Sequence, residues 1–65
     1  MIVIQVAVYM GEGYWADYPP YSFTAQELSK AQLFARAHLT PDTKIRSITV
    51  NGATTPTSQF LERTV

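Results

Sequence analysis

The chain opens with Ile2, Ile4, Val6 and Val8 alternating with Val3, Gln5, Ala7 and Tyr9. Successive side chains of a strand point to opposite faces, so both faces of this segment are apolar apart from Gln5. A doubly apolar run rich in β-branched residues predicts a central strand covered on both sides. Gly11-Glu12-Gly13 breaks the run and can supply the positive φ of a turn. Residues 14–18 then read as a short strand returning beside the first. Pro19-Pro20 ends that pairing and keeps the chain extended through Tyr21 and Phe23.

The next pattern changes period. Thr24 with Glu27 three places later forms a capping box, with Phe23 and Leu28 as a hydrophobic staple across it. Residues 25–39 contain neither Gly nor Pro. At 100° per residue, Leu28, Ala31, Ala35 and Leu39 share one stripe, bordered by Phe34 and His38. The small side chains on that stripe let a helix lie close to a sheet. Thr40-Pro41-Asp42 ends it, because a residue before proline avoids the helical region. Thr43–Val50 returns to strand composition, with a slip in alternation that predicts a bulge near Arg46-Ser47. Asn51-Gly52 predicts a type I′ hairpin turn, with residues 53–55 pairing back until Pro56. The tail is expected to continue as an edge strand over residues 59–64; the competing reading is a helical turn carrying Phe60 and Leu61, capped by Thr57 or Ser58.

These elements predict an α+β fold: a small, mostly antiparallel sheet of three to four strands in the order β-(β)-α-β-β, with one helix on one face. Nothing in the pattern suggests a second domain, so residues 1–65 are read as one. One helix covers one face of a small sheet. The first strand is apolar on both, so either the aromatic loop or another chain has to cover the second.

Composition sharpens this picture. In a chain of 65 residues, folding buries only about 60% of the surface the unfolded form exposes. There is no cysteine to supply a disulfide, a zinc thiolate or a nucleophile. Hydrophobic residues make up 46%, whereas charged residues reach only 15%, so self-association is the expected remedy for a small core. Five Lys/Arg balance five Asp/Glu, which disfavours nucleic acid or an anionic membrane as the main partner. The apolar start lacks a basic leader and is too short to span a bilayer, so a cytoplasmic location is expected.

Candidate chemistry concentrates in residues 9–23, which hold six of the eight aromatics with only Glu12 and Asp17 as charges. Tyr and Trp combine large buried area with few rotatable bonds and dominate binding hot spots. Glu12, Tyr14, Trp15, Asp17, Tyr18 and Tyr21 are therefore candidate binding residues, although Tyr14, Trp15 and Phe23 would equally serve to fill the second sheet face. Leu33 lies about 140° from Leu28 on the helix and is a candidate for a second contact surface. His38 has no nucleophile or orienting acid tied to it by a motif, so no catalytic residue is assigned. No metal site or cofactor is expected, since Glu12, Asp17 and His38 follow no ligand spacing. Gly11-Glu12-Gly13 lacks the third glycine and the immediate helix of a dinucleotide fingerprint. The expectation is a small non-enzymatic interaction protein, of the compact kind that phages and mobile elements encode. It would be a homo-oligomer that binds or inhibits a protein partner through the aromatic loop. The alternative is an oligomer that sequesters a planar ligand such as a nucleotide, with aromatics stacking on the base and Lys44 or Arg46 meeting phosphate.

Overall fold

The computed structural model describes residues 1–63 and confirms an antiparallel α+β fold. Strand β1 (Ile2–Gly11) turns into β2 (Tyr14–Asp17), and β3 (Tyr21–Phe23) follows after the two prolines. A 3-10 turn (Ala25–Glu27) leads into helix α1 (Leu28–Ala37). The chain then continues through β4 (Thr43–Val50), β5 (Ala53–Thr54) and helix α2 (Thr57–Leu61). The sheet runs β2-β1-β4-β5, and β3 pairs with β1 beside β2. Every pairing is antiparallel.

β1 is the central strand. Ile2, Ile4 and Val6 point to the helices and form the core with Ala31, Ala35, Ile48 and Phe60, all almost wholly buried. Both hairpin turns have positive φ at their central positions: Asn51 and Gly52, which favour it, have φ of 50° and 83°, and Glu12, which does not, and Gly13 have φ of 54° and 78°. Positive φ at both central positions is the requirement of a type I′ turn. The expected bulge is present: Gln5 pairs with Ser47 and Val6 with Ile45, leaving Arg46 as the extra residue. The capping box also forms, with the Thr24 N–H donating to Glu27 Oε1 at 2.9 Å.

Three expectations need correction. Among the described residues the sheet has five strands rather than three to four, and there are two α-helices rather than one. The tail is helical over Thr57–Leu61 instead of an edge strand; Thr64, the last residue of the expected strand, lies outside the described residues. The physical reason is Phe60, which is fully buried against α1 and β4 only if the tail turns back as a helix. α1 supports that turn through Gln32, itself buried, which donates to the carbonyls of Phe60 and Arg63 at 3.0 and 2.9 Å. Arg36, one turn later, donates to the Leu61 carbonyl. The bonds to the Leu61 and Arg63 carbonyls satisfy groups that a helix end otherwise leaves unpaired, and the Phe60 carbonyl also accepts from the Arg63 N–H. Finally, Leu39 is 55% exposed, not part of the core stripe. Regular helix ends at Ala37, and His38 at φ −102° and ψ 11° swings Leu39 away from the face its spacing implies.

Two stability predictions follow from these contacts. Phe60→Ala removes the largest fully buried side chain and should cost about 3–5 kcal/mol, comparable with the whole stability of a domain this size. Circular dichroism should therefore show a largely unfolded chain at room temperature; a cooperative melt close to that of the wild type would contradict the tail's place in the core. Separately, the hydrogen bond from the Thr24 N–H, with Lys30 nearby, holds the Glu27 carboxyl below its ordinary value of 4.5. Its folded value lies below its unfolded one, so its contribution is complete above about pH 4.5 and is lost as pH falls through the lower, folded value. Acid melts of Glu27→Gln should show less loss of stability below pH 4.5 than wild type.

Candidate functional site

Alternation along β1 and β2 assigns each aromatic of the loop to a face. Register partners share a face, so Ala7 with Asp17 and Tyr9 with Trp15 lie on the side away from the helices. Val8 with Ala16 lie on the helix side, where alternation also places Tyr14. The candidate residues are thus divided between two surfaces.

The side away from the helices is closed by the chain's own polar and aromatic groups. Lys44 and Asp17 flank Ala7 across the sheet, and Ala7 has no exposed surface. Lys44 Nζ stands 4.3 Å from the Trp15 ring centroid, and the Trp15 ring meets that of Tyr9 at 5.2 Å with a 59° tilt. Arg46 Nε donates to Asp17 Oδ1 at 2.9 Å, an orientation the bulge makes available by turning Arg46 to this side. The aliphatic stems of Lys44 and Arg46 and the indole therefore form the missing cover. Each polar contact is partly exposed and contributes little by itself. Tyr9 also fixes the hairpin end, its hydroxyl accepting from the Gly13 N–H at 2.9 Å.

The helix side of the same hairpin is open. Burial falls steadily along β1: Ile2, Ile4 and Val6 are buried, Val8 is half-buried and Met10 is 62% exposed. The helices end before the hairpin does, which gives the molecule its length of 38 Å against 18 and 17 Å in the other directions. Tyr14 is 64% and Tyr18 43% exposed, and Leu39 sits exposed at the end of α1, just before the chain returns to pair beside Val8. The main chain at Tyr18 is held firmly, its N–H donating to the Val6 carbonyl and its own carbonyl accepting from Gln5 Nε2 at 2.8 Å.

Tyr21 belongs to neither surface. Its ring packs 4.5 Å from Phe34, which in turn lies 5.6 Å from Phe23 and 4.3 Å from His38. This row seals the border of the core. His38 is tied into it, with Nδ1 placed to donate to the Phe34 carbonyl at 2.8 Å. Leu33 is 65% exposed on the outer side of α1, opposite Ala31 and Ala35, and does not join the hairpin residues. Glu12 occupies the turn with its side chain in solvent. Met10 and Leu39, like Met1, are exposed apolar residues that were not among the candidates. Met10 carries a legible signal, since it continues the alternation of Val6 and Val8 beyond any helix able to cover it.

Two concavities are present near the start of α1, away from the hairpin. One of about 510 Å³ is lined by Thr24, Gln26, Glu27, Ser29 and Lys30. The other, about 160 Å³, includes Ile2, Leu28, Val50 and Arg63 in its lining and is smaller than typical ligand sites. Among the described residues, no group of His, Asp and Glu converges as a metal site. No helix among them is long and apolar enough to cross a membrane. Compared with protein-family models, curated proteins and solved structures, the chain matches none.

Glu12 carries a stability prediction of its own. An L-residue other than Asn, Asp or Gly is disfavoured in the left-handed region by roughly 1 kcal/mol. Glu12→Asn, which gives this turn the same Asn-Gly pair as the second hairpin, should raise the melting temperature by several degrees. An unchanged or lower melting temperature would mean that the Glu12 carboxylate makes a compensating interaction.

Proposed function

We propose that this chain is a small non-enzymatic interaction protein, homo-oligomeric, which docks on a protein partner through the aromatic hairpin. The observation that carries this reading is the exposure of Tyr14 and Met10, 64% and 62%, on a hairpin face that neither helix covers. A contiguous apolar surface on a small domain marks a contact site more often than chance exposure does. Tyr14 and Tyr18 are of the hot-spot type, and the main chain beneath them is held by its pairing with β1 and by the Gln5 bond to Tyr18. Little conformational entropy is then lost when a partner docks.

A protein partner is favoured over a planar small ligand by shape and by the state of the cations. The exposed aromatics stand on a protruding ribbon, whereas a small molecule needs a concavity to lose most of its surface. Lys44 and Arg46, the cations available to a phosphate, are engaged with Trp15 and Asp17. The isolated carboxylates and the Phe34-bound His38 give no support to a catalytic set.

Replacing Tyr14 and Tyr18 together with alanine should weaken partner binding by at least about thirtyfold, the scale of a hot-spot loss of 2 kcal/mol. The melting temperature should move by only a few degrees. A photo-crosslinking residue at position 14, in the native host, should capture a discrete protein that the same residue at exposed position 62 does not. Equal capture at the two positions, or unfolding of the double variant, would contradict this reading.

A further inference from the structure

We propose that the occupant of the β2 edge is a second copy of this chain, paired antiparallel with Ala16 opposite the partner's Ala16. This inference rests on the interaction-protein reading and specifies its oligomeric contact.

The hydrogen-bond ladder determines which groups are available. The Tyr18 N–H donates to the Val6 carbonyl at 3.0 Å, and Val8 pairs with Ala16. In an antiparallel ladder, residues alternate between exchanging both bonds with the neighbour and turning both groups away from it. Ala16 and Tyr18 therefore face β1, while the N–H and C=O of Trp15 and Asp17 point outward. The other side of β1 agrees, since the Tyr9 N–H donates to the Asp42 carbonyl, away from β2. No described strand pairs with the outer edge of β2. The opposite edge of the sheet is protected by the Arg46 bulge, by β5 and by the return of the chain into α2. β2 has no such protection within residues 14–17, and its single charge, Asp17, is paired with Arg46.

Only one twofold register satisfies all four outward groups. With Ala16 on the axis, Trp15 exchanges both bonds with the partner's Asp17, and Asp17 does the same with the partner's Trp15. The contact is isologous, as a closed dimer requires. Its ends are already set: Pro19 has no N–H to extend the ladder, and the turn at Glu12-Gly13 closes the other end.

The side chains suit this register on both faces. On the helix side, Tyr14 lies opposite the partner's Tyr18, and Tyr18 opposite the partner's Tyr14. These are the two most exposed aromatics of the hairpin. Between them, at a non-hydrogen-bonded position where strands approach most closely, stands the small Ala16 pair. On the other face, Trp15 lies beside the partner's Asp17, whose charge is neutralised by its own arginine, so no like charges are opposed. Pairing also completes the docking surface: each row of aromatics contains Tyr14 from one copy and Tyr18 from the other, and a monomer holds only half of it.

The chain has no cysteine, so one engineered thiol reads the register directly. Ala16→Cys should form a disulfide-linked dimer under mild oxidation, because a non-hydrogen-bonded antiparallel pair brings Cα atoms within disulfide range. Ser58→Cys, exposed on α2, should remain mostly monomeric. Ala16→Lys should keep the circular dichroism of the wild type and raise the dimer dissociation constant at least tenfold, measured by sedimentation. A wild-type dimer that Ala16→Cys fails to link would overturn this register. A wild-type chain that sediments as a monomer at high concentration would overturn the second copy as occupant; capture at position 14 would then still support the interaction reading, and its loss would remove both.

Discussion

A strand with two apolar faces, in a chain with too little helix to cover even one of them fully, is the constraint on which the architecture rests. Ile2, Ile4 and Val6 are shielded by α1 and by Phe60 of α2. The helices stop there, and burial declines through Val8 to Met10. No described helix lies on the other face. It is covered by long polar side chains, with Lys44 laid over Trp15 and Arg46 reaching Asp17 above the buried Ala7. Such a cover uses the methylene stems of charged residues as apolar surface while their heads remain hydrated. It is economical in a chain of 65 residues, and it commits Asp17, Lys44 and Arg46 to internal contacts.

What remains uncommitted is then well defined. Among the described residues, Tyr14, Tyr18 and Met10 have apolar surface that no internal partner buries, and the edge of β2 has backbone groups that no strand pairs. The two features adjoin, since the exposed tyrosines rise from the strand whose edge is free. A protein with a larger core would have buried such residues. Here the proline pair prevents β2 from running on into β3, and the break leaves a short, stiff ribbon extending beyond the helices. The functional proposal and the dimer proposal both draw on this one local circumstance.

Local rules made much of the fold legible in the sequence. Thr24 and Glu27 located the 3-10 turn that leads into α1, Asn51-Gly52 and Gly11-Glu12-Gly13 located the turns, and broken alternation located the bulge at Arg46. Each signal acts over a few residues and needs no tertiary partner. The tail was opaque for the opposite reason. Thr57–Leu61 is too short to form a helix on propensity alone, and it holds because Phe60 enters the core and Gln32 and Arg36 bind its final carbonyls. Leu39 was misplaced because ideal 100° periodicity was carried past the residue where the helix unwinds. The aromatic segment was recognisable as anomalous, but its division into a covering group, a core-border group and an exposed group depends on which partner each residue meets across β1. Periodicity within residues 9–23 carries no information about Lys44, Arg46 or Phe34, and they decide the outcome.

Residue-resolved amide hydrogen exchange as a function of protein concentration tests the central claim most directly. The amides of Ala16 and Tyr18 face β1 and should be protected at every concentration. Those of Trp15 and Asp17 point away from β1, with no acceptor among the described residues, and should become protected only as concentration rises and β2 edges pair. Free exchange of Trp15 and Asp17 at all concentrations, with Ala16 and Tyr18 protected, would contradict the claim that this edge is where one copy meets another.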